Sequence, residues 1–337
     1  MPLLPKSLFG KILLALLTLL ALTLGGFLYS VVAMPGSSLT GPLPDLSGEQ
    51  ERAAARMRTT VEHLAGPLAE RHTGAPETLE AAAAWLEAAW SDQGYEPRSH
   101  TFEAHGVETR NVWVELEGAT HPEEVLVIGA HYDSFGGMPA ADDNASGVAL
   151  LLELSRALFP EEPDRTLRFI AFTNEEPPHF QRETMGSLVQ AERSRRAGER
   201  IVGMLSLECV GYYRTEAGSQ EYPALGAFYP DTGDFIAFVG DRSSRAFVRR
   251  CIGLFRDQRV LPSEGIAAPS SIPGISWSDH WSYSRAGYPA VMVTDTAPFR
   301  NPNYHEPTDT ADTLDYERMA RLATGLEEVV WELARGD

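Results

Sequence analysis

The sequence predicts an α/β fold: one domain on a central mixed, mostly parallel sheet with helices on both faces, preceded by one N-terminal transmembrane helix. Three observations predict it. Near-continuous apolar runs of strand length alternate with amphipathic stretches of helix length, the pattern of strands covered on both faces. Several of those runs end in a histidine or a pair of acids. The chain has 337 residues, 43% of them apolar, enough for a sizeable core but short for two large domains.

The first element is "ILLALLTLLALTLGGFLYSVVA", residues 12–33, which carries no charge. As a helix it would span about 33 Å and cross a bilayer. Lys6 and Lys11 precede it, and the first charges after it are Asp45 and Glu49. That asymmetry puts the N-terminus in the cytoplasm and the rest outside. A cleaved signal peptide ending at "VVA", which would leave a secreted or periplasmic chain, is the competing reading; the apolar run is long for one. Residues 34–47, "MPGSSLTGPLPDLS", are punctuated by Pro, Gly and Ser and read as linker. The chain thus divides into a membrane anchor or signal peptide (1–34), a linker (35–47) and a single domain (48–337).

Two helices open that domain. One covers 48–65, with Ser47 as N-cap and Gln50 three residues on. The other covers 76–92, Ala-rich, with Pro76 in its first turn and Gly94 past its end. Residues 97–104 and 109–117 alternate in polarity and read as a hairpin. Then come "EVLVIGAH", a buried strand ending at His131; the helix "ASGVALLLELSRALF"; the strand "TLRFIAFTNEE"; the strand "IVGMLSLECVG"; the strand "DFIAFVGD" with the helix "SSRAFVRRCIGLFRD"; the strand "PAVMVTDT"; and a closing amphipathic helix over 315–334.

The net charge of −19 argues against nucleic-acid binding, which wants a basic face. Cys209 and Cys251, the only cysteines, form no CxxC and read as buried free thiols rather than a bridge. There is no HExxH, GxSxG, P-loop or GxGxxG.

In open α/β sheets, ligands gather at the carboxyl ends of the strands. Here those ends and nearby loops carry His131 and Asp133, Asp143 at the opening of the next helix, Glu175 and Glu176, Glu208, and His305. Two imidazoles and several carboxylates without a thiolate suit zinc, or manganese or cobalt. The acids suffice for two ions sharing a bridge. Residues 131 and 133 point to the same side of an extended chain, so Asp133 can brace His131. Adjacent Glu175 and Glu176 point apart; one can ligate and the other serve as general base. Singly, each has a plainer role: surface acids, helix N-caps, a core histidine. Their joint occurrence along one sheet edge carries the argument. His63, His72, His100, His105, His121 and His179 read as structural or surface residues. Asp279 and His280, in "SWSDHWSY", could line the pocket.

The ordered set "GAHYDS", "AADDNASG", "NEE", "SLE", "SDH" and "NYHEPTDTADTLD" resembles the double-zinc exopeptidases, which include bacterial leucyl aminopeptidases, glutamate carboxypeptidase II and glutaminyl cyclases. The likeness covers roughly residues 50–335 and makes 48–337 the exopeptidase domain. It implies that Asp143 bridges two zinc ions, with His131 and Glu208 completing one site and Glu176 and His305 the other. It implies Glu175 as general base, Asp133 behind His131, Asp309 behind His305, and a cis peptide after Asp143. Glu208 is a departure, since many members have Asp there. The insertion within "FTNEEPPHFQRETMGS" is another and implies a loop beside the pocket. The expected activity is removal of N-terminal residues from peptides. The rival expectations are a single-zinc glutaminyl-peptide cyclase and a non-catalytic, receptor-like member. Oligomeric state is not legible.

Overall fold

The computed structural model describes residues 7–336; Lys6, part of the charge reading above, lies outside them. Helix α1 (Leu8–Val32) keeps its apolar side chains largely exposed until its last turn, where Val31 is buried. Residues 35–47, the expected linker, form no helix or strand. In α2 (Gly48–Leu64), Ser47 and Gln50 cap each other reciprocally, as the spacing predicts. Helix α3 (Pro76–Asp92) starts on its proline. Strands β1 (Arg98–Ala104) and β2 (Val107–Leu116) pair antiparallel. Their two-residue turn puts His105 and Gly106 at positive φ, as a tight hairpin requires.

The strands β3 (His121–His131), β4 (Arg165–Phe172) and β5 (Arg200–Glu208) follow, with α4 (Gly147–Leu158) and α5 (Gly186–Ala197) in the connections. Beyond them lie β6 (Ile236–Asp241), α6 (Arg245–Gln258), β7 (Ser263–Ala268), α7 (His280–Ala286), β8 (Ala290–Thr294) and α8 (Tyr316–Ala334). The eight strands make one sheet in the order β1-β2-β4-β3-β5-β8-β6-β7. The four central strands β4, β3, β5 and β8 run parallel, and antiparallel pairs flank them. The sheet is therefore mixed, and β8, last in sequence, lies inside it.

Alternation along β3 shows how the core divides. Leu126, Ile128 and Ala130 face the cluster formed with α2, α3, α4, α6 and α8. Val125 and Val127 face the opposite cluster, closed by Ala191 of α5 and Tyr283 of α7. Both faces being covered, the parallel strands are largely apolar past their first residues, which made them legible as near-continuous runs. Three elements carry no such signal. Helix α5 is mostly polar, β7 is "SEGIAA", and α7 is seven residues long. Cys209 and Cys251 are both free and buried.

Candidate metal centre and active site

Because β4, β3, β5 and β8 are parallel neighbours, their carboxyl ends meet along one edge. β3 delivers His131, β4 leads into Glu175 and Glu176, and β5 ends at Glu208. Asp143 comes from an irregular turn between β3 and α4. Its peptide bond to Asn144 is cis. Asn144 ties this turn to β5: its Nδ2 donates to the Leu207 carbonyl at 2.8 Å, and its Oδ1 accepts from the Gly147 and Cys209 amides.

The five expected ligands converge. His131 Nε2 lies 3.2 Å from Asp143 Oδ1 and 3.4 Å from Glu208 Oε2. The other oxygen of Asp143 lies 2.9 Å from His305 Nε2, which is also 3.1 Å from Glu176 Oε1. Asp143 is thus shared by two donor triads, His131–Asp143–Glu208 and Asp143–Glu176–His305. The ring of His305 is held between Phe135 and Tyr304, each stacked at 4.0 Å. Ser278 donates to Glu208 Oε2 at 2.7 Å. Glu175 belongs to neither triad.

The supporting acids differ in part from expectation. Asp133 does lie beside His131, 3.5 Å from Nδ1. Its two oxygens also take the Glu175 and Glu176 amides at 3.0 and 3.1 Å, so it fixes the turn bearing both acids. Asp309, expected behind His305, instead takes the Asp142 and Asp143 amides at 2.9 and 3.2 Å. A carboxylate has two acceptor oxygens, and the adjacent amides of a tight turn suit both. Asp279 is buried at the start of α7, and His280 Nε2 donates to the Ile275 carbonyl at 2.7 Å. Neither lines the apolar recess described below. One supporting residue carried no sequence signal. Arg71 is fully buried and donates to the carbonyls of Leu64, Tyr132 and Ala140, joining the end of α2 to the loop before Asp143.

Electrostatically the centre is crowded with buried acids. Burial pushes the Glu175 carboxyl well above the usual range; His131 opposes this, while Glu208, Glu176 and Asp279 add to it. Burial, then Asp143, brings Glu176 up to about 8 against the pull of His305. Burial also disfavours the Asp143 anion, yet His131 and His305 hold that carboxyl well below its ordinary value. Burial opposes charge on His305, but Asp143 and Glu176 raise it to about 10. Buried anions this dense persist only when paired with protons or metal. His131 Nε2 makes no well-formed hydrogen bond, although oxygens surround it. A buried set of imidazole and carboxylate donors, one nitrogen still unsatisfied, fits zinc.

Beside Glu208 and Tyr304 opens an apolar recess of about 110 Å³, walled by Phe235, Ile266, Ile275, Trp277, Met292 and Phe299 among others.

Against known proteins, the sequence profile of peptidase family M28 matches residues 111–330. The uncharacterized protein YfbL of Escherichia coli (strain K12) is 37% identical over 281 residues, covering 80% of this chain and 85% of its own. Probable leucine aminopeptidases of the fungus Arthroderma otae also match, and the chain spans only about 55% of the length of the first of them. Among solved structures, a zinc aminopeptidase from Bacillus subtilis superposes with a TM-score of 0.67 at 13% identity, over 84% of this chain and 95% of that one. A glutaminyl cyclase from Porphyromonas gingivalis gives 0.64 at 16%, over 83% and 98%. At such identities the structures speak for the fold.

Proposed function

The chain belongs to peptidase family M28, and from that premise we propose a zinc-dependent aminopeptidase, anchored in a membrane by α1 with its catalytic domain outside the cytoplasm. The observation that carries this reading is Asp143, which offers one oxygen to each of two histidines. His131, Asp143 and Glu208 would hold one zinc, and Asp143, Glu176 and His305 a second. Bound zinc supplies Lewis acidity, lowering the pKa of a water and polarising the scissile carbonyl.

The chain's own groups do the rest. Glu175, buried beside the donor set yet outside both triads, takes the proton of the attacking water and returns it to the leaving amine. Asp133 keeps Glu175 in place through its amide while fixing Glu176 through the next one. The recess beside Glu208 receives the first side chain of the peptide, and its apolar walls favour apolar residues. The acids around Glu176 offer a counter-charge to the free α-amine, which makes the enzyme an exopeptidase.

Two complete triads favour hydrolysis over cyclisation, which uses a single zinc. Incubation of the full-length protein in detergent with zinc and a peptide set, in ¹⁸O-labelled water, tests this. Release of N-terminal residues with label in the new carboxylate is expected. Loss of ammonia from glutaminyl peptides without label would instead establish the cyclase, and no product from any peptide the non-catalytic reading.

A further inference from the structure

The chain leaving α1 is gripped by a row of arginines. Arg245, Arg249 and Arg256 are spaced four and seven apart on α6, which places them on one stripe of that helix. Their guanidiniums donate to successive carbonyls of the exiting chain: Arg245 to Ser30, Arg249 to Ala33 and Arg256 to Pro35. The first two lie at the C-terminal end of α1, where orphan carbonyls and the negative end of the helix dipole favour cations. Arg242 sits 5.2 Å from the Phe27 ring one turn earlier. Further on, Ser38 Oγ accepts from the Ser263 amide at 2.9 Å.

Packing follows the same line. A Cβ at Gly253 would come within 3.1 Å of Pro35, and one at Gly265 within 2.9 Å of Met34, so both glycines make room for the exiting chain. Val31, 1% exposed, packs in a cluster with Phe235, Ala237, Val239, Ile275 and Met292. All five of those residues also line the recess beside Glu208.

We propose that residues 30–38 are a retained, built-in part of the catalytic domain, seated by the α6 arginines, and that Val31 is a positioning residue backing the wall of the substrate recess. The seat stands independently of the enzymatic reading; the role of Val31 rests on it. Cleavage after Ala33 would remove Val31 and empty the space behind the wall, so the helix is an anchor and not a discarded leader. A shifted wall changes how an apolar side chain is held and leaves the reacting groups in place. It therefore appears in KM and not in kcat.

The test uses the full-length protein in phosphatidylcholine–phosphatidylglycerol nanodiscs. Thermolysin should leave residues 30–38 uncut in the wild type, cut them readily in R245Q/R249Q, and leave them largely protected in R245K/R249K. In Val31→Ala and R245Q/R249Q, KM for a leucyl substrate should rise about 5–20-fold, with kcat and zinc content within about twofold and KM for an alanyl substrate nearly unchanged. Equal cleavage of wild type and R245Q/R249Q, or a mature chain beginning at Met34, overturns the seat. An unchanged leucyl KM in both variants overturns the role of Val31. A resistant wild type that hydrolyses no peptide supports the seat and refutes the peptidase reading.

Discussion

Glu175 and Glu176 share a side chain and a brace, and differ in what they face. Glu176 reaches His305 and the shared Asp143, so Glu176→Gln should lower zinc content. In the proposed mechanism Glu175 handles only a proton. Glu175→Gln should keep the fold and the zinc while kcat falls about 10²–10⁴-fold with KM little changed. Metal analysis with steady-state kinetics on both variants checks this; zinc lost from Glu175→Gln and kept in Glu176→Gln would reverse the assignment. His280 supports a second prediction. Burial holds its imidazole at about 4, below the ordinary 6.5, so the unfolded chain binds more protons between those values. His280 thus adds stability that is fully present above about pH 6.5 and lost as pH falls toward 4, about 3 kcal/mol at full size. His280→Gln should flatten this acid limb in denaturant titrations; an unchanged slope would exclude His280 as its source. The five donors were legible because imidazoles and acids at strand ends are chemically specific. The true partner of Asp309 was not, because a carboxylate's choice between a side chain and two backbone amides depends on loop geometry that spacing does not encode. Arg71, one arginine in an unpatterned loop, left no trace at all.

At the scale of elements, α4 begins where it does because Gly147 lies flat against β5. A Cβ there would stand 2.5 Å from the Leu207 carbonyl oxygen and 2.3 Å from Asn144 Oδ1. Gly147→Ala should therefore destabilise the domain by about 1–3 kcal/mol despite alanine's better helix propensity. It should also weaken zinc binding, since Asn144 tethers the turn that carries Asp143. Thermal unfolding and zinc titration of the variant check both, and a gain in stability would show that the contact relaxes freely. Helices α2 and α3 and the central strands were readable because cap, proline and apolar run agree locally. Helix α5 and β7 were missed for the opposite reason. Tertiary contacts fold them: α5 packs on α7, and β7 adds as an edge strand beside β6.

For the whole molecule, a net charge of −19 surrounds a centre crowded with buried acids. Removing zinc by chelation should lower stability, and zinc at 100 times its Kd should restore about 2.7 kcal/mol, a rise in Tm of about 5–10 °C. A Tm indifferent to zinc would mean that the donor set does not bind it. The fold class was legible in the alternation of strands and helices. Strand order was not, since placing β8 between β5 and β6 is a long-range pairing that no local pattern records. Nor was the fate of residues 35–47. As a free tether they would let the domain wander about 45 Å from the bilayer. With Pro35 and Ser38 fixed to Arg256 and Ser263, that slack is gone. On the proposed reading, the anchored domain would work as a ruler of fixed, near-zero height, trimming peptide ends that lie at the membrane surface and passing over those held far above it.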